Sequence, residues 1–368
     1  MTPSEAESYE DRFSDLLQRL GASDARIAEA LRTGGAERLA GDLVLTRGAD
    51  MTLADLAGVA GVAEGKVAHL WRDLGIVAGP DEKRFGERDV GVIKLLISAS
   101  DLEIRGAELL RVIGTAMGTI ADAAVSHYVQ DVEERIKNNG IDPVERAREL
   151  TETIDFAFKI GDSLLGPVLA QHLQDAVTRQ RATQQGVSDR VVARLAVGFV
   201  DLVGSTQLAN RVSSRDLLET IATFETRAFE VAAACGGRIV KHVGDEVMFM
   251  ALTPDVASDI ALSMIEQFAA TNVKPRGGVA FGEVITYHGD FYGPVVNLAS
   301  RLTDQAVPGE VLVDSAIRDA ASTSEIEFEP AGRRQLKGFD DPVSVFSLAR
   351  SGRLNGSSTA PVGSSIDR

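Results

Sequence analysis

The sequence predicts an α+β protein built from two unlike halves, and three observations carry that reading. Up to about residue 178 apolar residues recur three and four apart with few β-branched runs, the period of amphipathic helices. Beyond about residue 190 the pattern changes to β-branched runs that alternate with helical segments. Between them Thr178-Arg-Gln-Arg-Ala-Thr-Gln-Gln-Gly-Val-Ser-Asp loses hydrophobicity and ends in turn formers, as a linker does. The expected division is an all-α segment over 1–177, a linker over 178–188, the α+β segment over 189–350, and a Ser/Gly-rich tail over 351–368 expected to be disordered.

The chain has 368 residues, 44% of them hydrophobic, enough for a core in each half. A net charge of -16 argues against nucleic acid as the main partner, because neutralising phosphates needs clustered Lys and Arg. A small anionic ligand held by a few placed cations remains compatible with that charge. Cys235 is the only cysteine, which excludes an internal disulfide and a cysteine-based zinc site and fits a reducing cytoplasm. The segment Met1 to Arg12 is acidic and polar, unlike a signal peptide. No run of about eighteen apolar residues is free of charge, so no membrane span is expected.

In the helical half, residues 51–95 contain two short helices about Gly61, with Thr52 opening the first, followed by a segment from Arg84 that could form a wing. This arrangement is similar to a helix-turn-helix. Its second helix offers only Lys66, His69 and Arg72 to a polyanion, so a packing module is the competing reading. Trp71, at helical spacing from Val67 and Leu70, is expected in the core. Two longer helical stretches follow over 102–136 and 143–178, separated by Asn138-Asn139-Gly140 and restarted by Asp142-Pro143. Gly166-Pro167 should kink or restart the second stretch, whose stripe of Ile160, Leu164, Leu165, Val168 and Leu169 serves either a core or a dimer seam.

In the second half Val191 to Val200 reads as a strand ending at Asp201. A helix from about Thr206 to Ala234 stops at Gly236-Gly237. Arg238 to Val243 and Val247 to Ala251 form a hairpin about Gly244-Asp245, residues 253–270 a helix, and Gly277 to Gly282 another strand. The succession β-α-β-β-α-β is the ferredoxin-like arrangement, extended by a helix over 295–304 and strands near 310–313 and 343–348.

Three features of this half point to chemistry. Asp201 at a strand end and Asp245 at a hairpin tip lie on strands that this fold makes neighbours, and two carboxylates without a cysteine or histidine cluster favour a hard divalent cation, Mg²⁺ or Mn²⁺. Singly, each is also what an N-cap or a turn would use. The backbone of Leu202 through Gly204, Ser205 and Thr206, opening a helix, presents N–H groups suited to a polyphosphate. Finally, Gly289-Asp-Phe-Tyr-Gly-Pro-Val-Val-Asn-Leu-Ala-Ser-Arg-Leu feeds a turn with one carboxylate into a helix that projects Asn297 and Arg301 from one face.

Together with Gly198-Phe-Val-Asp-Leu-Val-Gly-Ser-Thr, Val240-Lys-His-Val-Gly-Asp-Glu-Val and Gln335-Leu-Lys-Gly-Phe, that stretch completes four motifs in order over about 150 residues, and the set closely resembles a class III adenylyl cyclase catalytic domain. The resemblance implies that Asp201 and Asp245 hold two Mg²⁺ or Mn²⁺ ions and that Lys241 and Asp290 read the adenine of ATP. It implies further that Asn297 orients the ribose, Arg301 stabilises the α-phosphate as the 3′-hydroxyl attacks, and Lys337 contacts the triphosphate. His242 should alternate away from Lys241 along its strand. Because the family takes its metal aspartates from one protomer and its base-reading and Asn/Arg residues from the other, a chain carrying both sets implies a head-to-tail homodimer with two composite sites. Ser205 stands where the family commonly has an aromatic residue, and Tyr287 and His288 occupy the turn where it often has an arginine. The helical half resembles the regulatory domain of soluble actinobacterial adenylyl cyclases, chiefly over residues 160–176, with His69, His127 and His172 as candidates for a response to pH. The alternative class is a nucleotide-sensing or DNA-binding regulator whose cyclase-like domain does not turn nucleotide over.

Overall fold

The computed structural model describes residues 3–101, 106–140, 142–183, 192–203, 213–268 and 273–352. Gly204, Ser205, Thr206 and the tail beyond residue 352 lie outside them. The chain divides into two compact units, Met1–His172 and Leu173–Arg368.

In the first unit α1 (Pro3–Arg19), α2 (Asp24–Thr33), α3 (Ala36–Leu45) and α8 (Pro143–Ser163) share one core, with Phe13, Leu17, Ile27, Ala40 and Ala147 buried together. Asp142 caps α8 by accepting from the Val144 amide at 3.0 Å, and Pro143 supplies a first-turn residue that needs no donor. The predicted helix pair is present as α4 (Leu53–Ala60) and α5 (Glu64–Asp73), the first opened by a reciprocal Thr52/Asp55 capping box and closed by Gly61 in the left-handed region. Trp71 is buried and stacks on Phe85 at 5.4 Å, and the Met51–Phe85 bridge is the extent of strand pairing there among the described residues. These helices and α6 (Glu87–Asp101) share a small core around Leu56, Val67 and Ile93.

The long α7 (Gly106–Asn139) docks on α5 through Arg111, whose Nε donates to the buried Asp73 at 3.1 Å. By length and composition alone its stretch Gly106–Asp131 could cross a membrane, and only 6% of the most apolar part is buried. That stretch carries Glu108, Arg111, Asp122 and Asp131. The long second helical segment restarts as foreseen near Gly166-Pro167, with α9 (Leu165–Thr183) following α8 directly.

The second unit is a sheet covered by helices. Its elements are β1 (Val192–Val203), α10 (Ser214–Ala234), β2 (Arg238–Val243), β3 (Glu246–Ala251), α11 (Pro254–Gln267), β4 (Lys274–Tyr287), β5 (Asp290–Tyr292), α12 (Pro294–Gln305), β6 (Val311–Asp314), α13 (Ser315–Ala320), β7 (Ile326–Arg334) and β8 (Val343–Arg350). The strand order is β2-β3-β1-β4-β6-β8-β7, with β5 paired to β4. The expected β-α-β-β-α-β core is therefore present, β1 lying central between antiparallel β3 and β4.

Side-chain alternation divides β1 between two cores. Ala196, Val200 and Leu202 join Phe224, Phe249 and Ile260 on the face covered by α10 and α11. Leu195, Val197 and Phe199 join Met248, Met250 and Ala299 on the α12 face, so the same alternation turns Asp201 toward α12. Gly278 makes that face close-packed: a Cβ there would lie 2.3 Å from the Thr303 amide nitrogen and 2.5 Å from the Ala299 carbonyl oxygen. Only glycine lets α12 sit this close to β4.

Candidate active site

Asp201 lies two residues before the end of β1, in register with Glu246 on one side and Arg276 on the other. The Leu202 amide donates to the Asp245 carbonyl at 3.3 Å, tying the β2–β3 turn to the end of β1. The two carboxylates expected to meet are thus on adjoining backbone. Arg276 forks onto one oxygen of Asp201, Nε at 3.0 Å and Nη2 at 2.9 Å from Oδ2, and its Nη1 donates to the Asp304 carbonyl at 2.9 Å. Asp304 in turn accepts from Arg301 Nη1 at 2.9 Å.

This corner concentrates negative charge. Burial raises the Asp201 carboxyl, and Asp245 and Asp304 add to the effect against the opposing pull of Arg276. Burial pushes Glu246 up to about 7, reinforced by Asp201, Asp304 and Asp245. Crowded carboxylates whose charged form is disfavoured by burial and by one another, and which offer only hard oxygen donors, suit a divalent cation. Among the described residues no three His, Cys, Asp or Glu side chains are arranged to chelate one. A cation here would complete its shell from outside the protein, as Mg²⁺ does when it keeps waters and substrate phosphates.

A second cluster lies where β2 faces the β4–β5 hairpin. Lys241 Nζ donates to Asp290 Oδ2, and Asp290 Oδ1 accepts from the Phe291 amide at 2.8 Å. His288 and Gly289 form the two-residue hairpin turn with φ of 53° and 81°, the positive angles a type I′ turn requires, and so set Asp290 opposite Tyr287. His242 turns the other way, its Nδ1 3.4 Å from Glu225 on α10, as alternation predicted.

On α12, Asn297 is exposed and Arg301 follows one turn later, its guanidinium on Asp304. Lys337 is exposed on the β7–β8 loop beside buried Leu336, which packs with Leu302 and Ala306 of the α12 end. Gly204, Ser205 and Thr206, the expected phosphate cradle, fall outside the described residues. Sequence reasoning overlooked Arg276, Glu246 and Asp304. Glu246 follows Asp245 directly in Gly-Asp-Glu, a charge inside an apolar strand start that was readable; the other two acquire meaning only from register and helix position.

A βαββαβ sheet with Asp201 and Asp245 on adjoining backbone at one end, beside a helix carrying Asn297 and Arg301, has the architecture of a nucleotidyl cyclase catalytic domain. Residues 188–350 match the family described as Adenylate and Guanylate cyclase catalytic domain. An uncharacterised Mycobacterium tuberculosis protein is 32% identical over 90% of this chain and 88% of its own length. An adenylate cyclase of Streptomyces coelicolor is 33% identical over 78% of each chain, and a pH-sensitive adenylate cyclase of M. tuberculosis is 31% identical over 54% of this chain and 53% of its own. The chain belongs to the class III adenylate cyclases, enzymes that make cyclic AMP.

Proposed function

We propose that this chain converts ATP to 3′,5′-cyclic AMP and pyrophosphate at two composite sites of a head-to-tail homodimer, with residues 1–177 regulating the catalytic segment 189–350 through the linker 178–188. The observation that carries the reading is the division of polar groups within one unit: Asp201 and Asp245 adjoin at one corner, while Lys241 pairs with Asp290 on the β2 and β5 side.

Asp201 and Asp245 would hold two Mg²⁺ or Mn²⁺ ions, which when bound lower the pKa of the 3′-hydroxyl and neutralise phosphate charge. Lys241 faces a ring nitrogen of adenine and Asp290 accepts from the exocyclic amine, which guanine replaces by a carbonyl. Their mutual ion pair keeps the two side chains together before substrate arrives. Asn297 orients the ribose, and Arg301 leaves Asp304 to meet charge growing on the α-phosphate, where a guanidinium gains most. Lys337 and the backbone of Gly204, Ser205 and Thr206 take the remaining phosphates. The regulatory half answers to pH through some of His69, His127 and His172; the similarity to a relative named for its pH sensitivity supports this part.

The test is incubation of the full chain with Mn²⁺ and either ATP or GTP. Cyclic AMP from ATP, with little product from GTP, is expected; no cyclic nucleotide from either would end the reading.

A further inference from the structure

Two guanidinium groups line one cavity of about 240 Å³ next to the hairpin that carries Asp290. Arg179 comes from the last turns of α9, and Arg238 opens β2. Leu195, Met250 and Phe291 give the cavity an apolar wall. Arg238 Nε is sealed from solvent and has no hydrogen-bond partner among the described residues. Asp290, the carboxylate of the same cavity, is already engaged by Lys241 and by the Phe291 amide.

A guanidinium has five donors and no acceptor, so the second arginine cannot satisfy the first. Partial burial, and then the charge of Arg179, both pull the Arg238 guanidinium down from its ordinary value, as for a partly desolvated cation beside another cation. The group that relieves both arginines is planar or tetrahedral, anionic and rich in acceptors, the geometry to which guanidinium forks bind in pairs. The cavity of about 240 Å³ has room for a compact anion against its apolar wall. We propose that Arg179 and Arg238 form a binding site for a small oxyanion, a carboxylate or phosphate group on a compact apolar body. The two arginines stand apart from the Asp201/Asp245 corner, since the five steps from Arg238 to Val243 along β2 span roughly 17 Å before the chain reaches Asp245, and the cavity adjoins the Lys241/Asp290 pair through Asp290. The inference does not rest on the cyclase reading.

Occupancy clamps the end of α9 to the strand that presents Lys241 three residues on. The experiment is thermal unfolding of the full chain in inorganic phosphate, acetate or butyrate, each against chloride at equal ionic strength, with hydrogen exchange of residues 173–183 as a second measurement. At least one oxyanion should raise Tm saturably, by about 5 °C at a hundredfold excess over its Kd, and slow exchange in that segment. The shift should survive Arg301→Ala, which removes a phosphate contact at the nucleotide site, and vanish in Arg179→Met and in Arg238→Met. Arg238→Met without anion should unfold no lower than the parent, since it removes an unpaired cation and keeps the apolar stem. If none of the oxyanions exceeds chloride, or the shift persists in both methionine variants, the site does not exist.

Discussion

Arg276 and Asp201 are register partners across β4 and β1, and both Nε and Nη2 of the arginine fall within 3.0 Å of one carboxylate oxygen. The same arginine reaches the Asp304 carbonyl, so it neutralises the acidic corner and anchors the end of α12. Arg276→Met should therefore lower Tm and reduce kcat, and it should raise the Mn²⁺ concentration needed for half-maximal activity less than Asp201→Asn does. A larger metal defect than that of Asp201→Asn would show that the arginine matters chiefly at the cation.

Asp201→Asn and Asp245→Asn each remove a hard anionic ligand and leave the sheet intact. A drop of about a thousandfold in kcat is expected for each, from several kcal/mol of lost charge stabilisation. Unchanged circular dichroism with near-normal turnover in Mn²⁺ would reject both as metal carboxylates.

Asp201→Ala and Arg301→Ala, inactive alone, should recover activity when mixed. If subunits exchange freely, half the dimers are mixed and each has one intact site, giving about a quarter of the parental rate. No recovery although mixed dimers form would place each site within a single chain.

The pH dependence of stability follows from Glu246. Its folded-state pKa of about 7 lies above the ordinary carboxylate value, so the folded chain binds more protons than the unfolded one between those two values. Stability of the metal-free protein should be highest below that window and fall as pH rises through it. The Tm of the parent in EDTA should decline from about pH 5 to about pH 8, and Glu246→Gln should decline less over the same range. Equal slopes would assign the effect elsewhere, Asp314, whose burial pushes its carboxyl up to about 6, being the next group displaced in the same direction.

Gly278→Ala tests the seat of α12. The added methyl meets backbone atoms of Thr303 and Ala299, which cannot swing aside, so a loss of about 2 kcal/mol is expected, with a fall in kcat as Asn297 and Arg301 move. Denaturant midpoints and ATP kinetics on one preparation measure both.

The parts legible in the sequence were those whose chemistry is local. A strand carrying Asp201, though it runs on to Val203, a Gly-Asp turn at 244–245 and an Asn/Arg pair four apart on a helix each follow from spacing along the chain. Arg276 was not legible, because its partner lies 75 residues away and is chosen by strand register. β7 was missed for another reason. Its run Ile-Glu-Phe-Glu-Pro-Ala-Gly-Arg-Arg is charged and contains Pro330 at a register shift, which an edge strand tolerates and a central one does not. In the helical half the helix pair and the break before Pro143 were readable from caps, whereas the docking of α7 on Asp73 required two helices to be brought together.

The polar chain Asp201–Arg276–Asp304–Arg301 has a consequence at the level of the assembly. In the proposed dimer its two ends serve different substrates, the aspartate one and the arginine the other. Each subunit then carries a wire between the two reaction centres, and loading one centre draws on the arginine that steadies the other. Turnover of such a dimer would be cooperative, and the Hill coefficient for ATP would be governed by Arg276, the link between Asp201 and Asp304.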